Sequence, residues 1–317
     1  MSGRGLKILG LVTLAAMLVA AVLLWREAAR DRPAQFVTGA MLPDLATRLD
    51  AVDGLQLAKG AERLALARRE AGWLIVSAAD APAKIAPLRQ LLVDLAKIEK
   101  LEPRSDDPAL YPRLGLGEDA LIITIYLGAE EHKLYLGKAA GGGIGRRYAR
   151  LDDDPRAWLV DGAVDPEFNI SHWADLGLPT MARQQVRRLV IRHPDGGELE
   201  IGRDTPDQSD FEIRGLAADE APIYPSVGNG IAAALAQLSY DGLRRRHGFD
   251  FEDAVTVRFE AWDDRAVSLR LIAAEEKWWA TPLDAGAASG WAFRLADHDA
   301  EDLTKRRADL VMPHAQD

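Results

Sequence analysis

The run from Ile8 to Trp25 constrains this chain more than any other stretch. From Ile8 to Leu24 no charge interrupts 17 residues, with Lys7 before them and Arg26 close behind. A helix there rises about 1.5 Å per residue and spans roughly 26 Å, just enough for the hydrocarbon core of a bilayer. Trp25 suits the interface, and Lys7 and Arg26 are long enough to snorkel. The amino terminus, Arg4 and Lys7 give three positive groups ahead of the run, whereas Arg26, Arg30 and Arg32 are diluted by Glu27 and Asp31. This bias predicts the N-terminus inside and the rest outside the cytoplasm. The rival reading is a cleaved signal peptide. Its small-residue site at Val19–Ala21 falls within the apolar run, and Arg26 and Glu27 sit at the wrong spacing before Ala28 and Ala29. Lipidation of a leader needs a cysteine, and the chain has none. The expected layout is therefore an anchor over residues 1–25, a polar tether over 26–40, and a body in the bacterial periplasm or otherwise outside the cytoplasm.

That body is acidic. Removing Arg4 and Lys7 from the formal net charge of −10 leaves −12 on residues 26–317. Such a charge repels nucleic acid and anionic lipid heads, which removes both from the expected ligands. Hydrophobic residues make up 48% of the chain, enough for packed cores, so the body is no disordered stalk. Absence of cysteine also excludes disulfides, thiol catalysis and thiolate metal sites.

Behind the tether, period-two alternation marks short, half-buried antiparallel strands at 55–58, 63–68 and 73–77. Ile85, Leu88, Leu92, Leu95 and Ile98 then fall at helical spacing, predicting a helix over 86–101 with Asp80 as N-cap and Pro87 in the first turn. A loop at 107–116 leads to strands at 121–127, 132–137, 148–151 and 157–160. The same order restarts at 186: strands at 186–193, 198–202 and 211–214, a helix over 230–243 carrying Ile231, Leu235 and Leu238, and strands at 254–260, 266–273, 277–280 and 291–295. We expect an α+β fold: after the N-terminal transmembrane helix, two similar units of antiparallel sheet with one covering helix each. The first unit is placed at 41–180 and the second at 181–317, connected through 175–182, with a C-terminal helix over 300–310.

Motifs for chemistry are few. Gly141-Gly-Gly-Ile-Gly-Arg-Arg147 resembles a phosphate cradle, but a strand rather than a helix N-terminus follows, which favours a hairpin loop. No two of the six histidines stand at i, i+4, and Asp152-Asp-Asp154 lacks the ligand spacing of a calcium loop. Asp297-His298-Asp299 precedes a helical pattern, where acidic residues favour the positive end of the dipole. Trp278 and Trp279 point to opposite faces if strand-borne, so that one of them could be exposed, although tryptophans on strands are more often packed in a core or at a sheet edge. The chain thus offers no catalytic, cofactor-binding or metal-binding residues. Its one dense basic cluster, Arg244, Arg245 and Arg246, reads either as charge compensation at a helix C-terminus or as a docking patch for an acidic partner surface.

Leu42-Pro-Asp-Leu45 with Val52, Leu64–Ala67, Gly72-Trp-Leu-Ile-Val76, Leu91, Leu92 and Leu95 follow one another in a recognisable order. Tyr111, Leu114-Gly-Leu116, Leu136-Gly-Lys138, Tyr148-Ala-Arg150, Trp158-Leu-Val160, Trp173 and Val186–Ile191 continue it. In this order and spacing, from about Met41 to Arg246, the chain resembles a bacterial domain-of-unknown-function family (DUF4340-like) of membrane-anchored proteins encoded beside gliding-motility-type ABC transporters. The resemblance implies an extracytoplasmic domain on one anchor, working with an inner-membrane ABC transporter or a related envelope complex. It supplies no catalytic residues. The expected function is a non-enzymatic accessory or ligand-capturing module of an envelope ABC transport system, with its ligand or partner in the groove between the units. The alternative is an envelope hydrolase or cell-wall-binding enzyme.

Overall fold

Alternating apolar residues close into two large antiparallel sheets, seen in a computed structural model that describes residues 39–141, 145–162 and 164–313. The expected anchor at 1–25, and the tether as far as residue 38, lie outside these residues. Among the described residues no helix is long and apolar enough to cross a membrane.

The first sheet is built from β1 (Gly39–Ala40), β2 (Gly54–Lys59), β3 (Glu62–Arg69), β4 (Gly72–Ile75) and β5 (Ala81–Pro82). After helix α1 (Ile85–Ala96) come β6 (Glu99–Ser105) and the short helix α2 (Tyr111–Leu114). A meander of β7 (Leu121–Leu127), β8 (Glu130–Ala139), β9 (Arg146–Leu151) and β10 (Ala157–Asp161) follows, and α3 (Ile170–Trp173) ends this part. The second sheet takes β11 (Val186–Arg192), β12 (Glu198–Gly202) and β13 (Glu212–Ile213). Beyond β14 (Glu220–Pro222) and helix α4 (Gly228–Ala234) it adds β15 (Tyr240–Arg245), β16 (Val255–Ala261), β17 (Ala266–Ala274), β18 (Lys277–Pro282) and β19 (Trp291–Leu295). Helix α5 (Asp297–Leu303) and β20 (Val311–Pro313) follow, and β20 pairs with β14 as a separate ribbon.

The strand order is β1-β6-β10-β9-β8-β7-β2-β3-β4-β5 in the first sheet and β13-β12-β11-β16-β17-β18-β19-β15 in the second. Each sheet therefore holds a four-stranded meander. The strand that precedes the meander in sequence lies beyond its last strand, and the opening hairpin lies beyond its first. In both sheets one face is apolar. Leu55 and Leu57 pair with Ile125 and Ile123 in the first, and Val257 and Phe259 with Ile191 and Leu189 in the second; all eight are buried. Helix α1 lays Leu88, Leu91, Leu92 and Leu95 into the core, and α4 lays in Ile231 and Ala232 with Leu235 just past its end. The two cores merge into one continuous apolar cluster. Trp173, 1% exposed, sits near the junction, where its carbonyl accepts the Lys84 N–H at 2.7 Å. The Tyr240 hydroxyl donates to the Leu176 carbonyl, tying β15 to the connecting segment.

Three helices differ from their expected lengths. α1 stops at Ala96 instead of reaching 101, because Glu99–Ser105 pairs along β10 with two bulges. Its N-cap is Lys84, while Asp80 occupies a turn at φ +57°; Pro87 does fall in the first turn, where its missing N–H does no harm. The helix expected over 230–243 is shorter still. Residues 240–245 pair with β19, and Gly242 and Asp241 are poor helix formers that a strand partner readily recruits. Leu238 thus stands in the connection, half-buried. The C-terminal helix begins at Asp297 and ends at Leu303, ahead of a single turn at Arg307–Asp309.

Candidate functional site between the two sheets

β15 is an outer strand of the second sheet, and α3, from the end of the first unit, packs against it. Between them opens a groove of about 520 Å³. One wall carries Glu62, Arg63, Ser77 and residues 168–170; the other carries Asp241, Gly242, Leu243 and Arg244, with Trp279 and Arg294 from the neighbouring strands.

Three guanidinium groups dominate it. Arg294 Nε donates to Asp241 at 2.5 Å, so its charge is matched within the second sheet. Arg244 Nη1 donates to Glu275 at 2.9 Å, which raises the arginine's pKa and holds the Glu275 carboxyl below the ordinary glutamate range. The same guanidinium lies 4.9 Å from the centre of the Trp279 ring, within cation–π range. Arg63 is different. It donates to the carbonyls of Gly60 at 2.6 Å and Glu62 at 2.7 Å and makes no ion pair among the described residues. Glu62 lines the same wall and makes no ion pair among the described residues either.

Trp279 is the aromatic element of the groove. It is 2% exposed, packs at 4.7 Å from the Phe249 ring, and its Nε1 has no acceptor among the described residues. Trp278 points to the other face, as expected for neighbours on a strand, but is half-buried against the main core and not exposed.

The expected basic cluster is dispersed. Arg244 lines the groove, whereas Arg245 stacks 4.0 Å over Trp291. Arg246 starts a one-turn helix and lines a separate depression with His247, Asp250 and Glu252. None of the three caps a helix C-terminus, because the segment preceding them is a strand. The sequence reading missed Arg63 and Arg294: each looks like an ordinary wet-face arginine on an alternating strand, and only the packing of α3 against β15 brings them together. Trp279 did carry a signal, as half of the Trp278-Trp279 pair.

The remaining motifs resolve into structural roles. The glycine loop joins β8 to β9, with residues 142–144 outside the described ones, and no helix follows to receive a phosphate. Asp152 accepts from the Tyr135 hydroxyl at 2.9 Å and Asp154 from the Arg156 N–H at 2.9 Å, so these carboxylates do not converge. Asp299, in the first turn of α5, is 5% exposed and accepts both the N–H and the hydroxyl of Ser239. Among the described residues no three His, Asp or Glu side chains cluster in a way that would hold a metal. A second pocket of about 250 Å³ lies against residues 41–45 beside Ile125 and Leu127. Its rim carries Arg48, whose partner Glu130 also faces His132 at 3.6 Å.

No curated protein and no solved structure matches this chain. Residues 73–261, more than half of its length, match a family described as Domain of unknown function (DUF4340). That span runs from β4 of the first sheet to the end of β16 in the second and includes β15, so the chain belongs to this domain-of-unknown-function family.

Proposed function

We propose that the chain is a tandem of one α+β unit that works as a non-enzymatic, membrane-anchored docking or capture module of an envelope ABC transport system. In this reading residues 1–25 hold the body outside the cytoplasm, near an inner-membrane transporter. The groove between the units is the contact site. The matching strand order of the two sheets supports a duplicated unit, since the same eight-strand arrangement with a helix before its outer strand arises twice.

One observation carries the functional part: three guanidinium groups, Arg63, Arg244 and Arg294, line one groove on an otherwise acidic chain, and Arg63 makes no ion pair among the described residues. A surface of net charge −10 is poorly suited to acidic ligands except where positive charge is gathered locally. The groove's volume lies in the range of ligand sites, and its charged groups, Glu62, Arg63, Asp241, Arg244 and Arg294, are held by strands rather than by loops. An enzyme reading needs a nucleophile, a metal or a carboxylate pair converging on a cleft. In the groove the Asp241 carboxylate is held by Arg294, which leaves Glu62 without a second free carboxylate, an arrangement that suits recognition better than bond cleavage.

The test is a photo-cross-linking residue at position 77 of the full-length chain in its native membrane, with adducts identified by mass spectrometry. Adducts to a transporter subunit are expected there and not from position 129, in the exposed β7–β8 turn at the opposite end of the first sheet. Adducts of equal yield at both positions, or only to unrelated proteins, overturn the reading.

A further inference from the structure

Half of the large apolar side chains that stand exposed among the described residues gather at one small ribbon. Ile223, Tyr224 and Met312 are 43%, 55% and 43% exposed, whereas the other three, Val76, Ile85 and Leu110, belong to the first unit. The ribbon is β14 with β20, joined to neither large sheet. Ala221 pairs with Met312, and the ladder continues where the Ile223 N–H donates to the Leu310 carbonyl at 3.0 Å. Side chains alternate along a strand, so Ala221, Ile223 and Met312 share one face and Pro222 and Val311 the other. Val311 packs against the main core, which makes the face with Ile223 and Met312 the outer one.

Charge is missing from this part of the sequence. Residues 221–240 form the longest run in the chain without a charged side chain, 20 residues in a protein that is 28% charged. The core explains the second half of the run, since Ile231, Ala232 and Leu235 are buried. It does not explain residues 223–226, all four of which are exposed.

Three occupants compete for such a face. A strand from another chain is hindered on β14, because Pro222 has no N–H to offer. A second copy of this chain would need about 800 Å² on each side, roughly 20 residues, and the ribbon has six. A partner protein gains most where its anchoring side chains fill pockets. Ile223, Tyr224 and Met312 line neither the groove nor the other depressions described above. A bilayer needs no pocket. It accepts exposed apolar side chains on a charge-free surface, with tyrosine at the level of the headgroups. Nearby, Glu220 is paired with Arg307, while Asp219 and the net charge of −10 turn anionic lipid away. The fitting headgroup is therefore zwitterionic.

We infer that the outer face of the β14–β20 ribbon, together with Tyr224, is a lipid contact that seats in the interface of a zwitterionic bilayer. This rests on the chain being held at a membrane, as proposed above, and gives the body a second point of attachment to it.

The chain has no cysteine, so single labelling sites are introduced without competing thiols. Full-length Tyr224→Cys, Met312→Cys and Ala129→Cys chains, the last in the exposed β7–β8 turn, are labelled with a polarity-sensitive fluorophore and reconstituted into phosphatidylcholine vesicles. The labels at 224 and 312 are expected to emit to the blue of the label at 129. Lipids carrying a shallow nitroxide are expected to quench them several-fold more strongly. Adding Ile223→Asp to the Met312→Cys chain is expected to abolish the difference while leaving the unfolding midpoint unchanged. Chains that float with the vesicles but show equal quenching at all three sites overturn the inference and leave the anchor standing. Chains that do not float overturn the anchor, and this inference with it. A response at 224 and 312 in native membranes but not in pure lipid assigns the face to a protein partner and overturns the bilayer as its occupant.

Discussion

Leu235→Ala probes the shared core directly. Leu235 is fully buried just past the end of α4, and its carbonyl accepts the Met181 N–H at 3.4 Å, so it belongs both to the second unit and to the segment entering it. Truncation removes three buried carbons, a transfer loss of about 2.4 kcal/mol at about 0.8 kcal/mol each. A residual cavity of roughly 50 Å³ adds about 1.2 kcal/mol at about 24 cal/mol per Å³. The expected cost is therefore about 3.5 kcal/mol, within the range of about 2–5 kcal/mol found for buried leucines. Leu92→Ala in α1, 6% exposed, is expected to fall in the same range. Ile85→Ala, at a position 53% exposed, should change stability by no more than about 0.5 kcal/mol. Urea unfolding followed by tryptophan fluorescence measures all three. Because one apolar cluster spans both sheets, Leu92→Ala and Leu235→Ala should shift the same transition. A Leu235→Ala effect no larger than that of Ile85→Ala, or two transitions each responding to one variant, refutes the reasoning.

Tyr240→Phe removes the hydroxyl that donates to Leu176 and should cost about 1–2 kcal/mol in the same assay. Burial pushes this phenol up to about 12, so an absorbance titration of the wild type should show one tyrosine ionising late and Tyr240→Phe should lack it. Arg203, 7% exposed, donates to the carbonyls of Pro206, Gln208, Gln184 and Val186. Arg203→Met orphans these acceptors and is expected to cost about 3 kcal/mol or more by denaturation. Burial pushes the Glu260 carboxyl up, but hydrogen bonds from Arg258 and Arg188 outweigh this and hold it below the ordinary glutamate range. A depressed folded-state value contributes stability above the unfolded value and loses it as pH falls through the folded one. Glu260→Gln should therefore be less stable than wild type at neutral pH, with the difference closing under acid in a pH series of unfolding curves.

The sheets were legible because alternation is written residue by residue. Strands 121–127, 198–202 and 291–295 match their expected bounds, each being flanked by turn residues and apolar on its core-facing positions. β6 was invisible for the opposite reason. Glu99–Ser105 has no alternation, contains Pro103, and is a strand only because β10 offers it a partner. The overlong helices share one cause: Ile98 and Leu238 continue the helical spacing by chance, and local periodicity does not register that a strand partner competes for the next residues. Two- and three-residue strands such as β1, β5 and β20 are too short to carry a period at all. At the site, Arg244, Arg245 and Arg246 read in sequence as one basic cluster, whereas its three members face three different surroundings. Arg63 and Arg294 lie far apart in sequence, and their convergence is a product of inter-unit packing alone.

Purification of the full-length chain from its own membranes in mild detergent, as wild type and as Arg63→Glu, tests the central claim most directly. Mass spectrometry of what accompanies it should find subunits of an inner-membrane ABC transporter with the wild type, depleted several-fold with the variant, while both chains show the same unfolding midpoint. Transporter subunits retained equally by both, or absent from the wild type, would contradict the assignment of the groove as the place where this protein meets its partner.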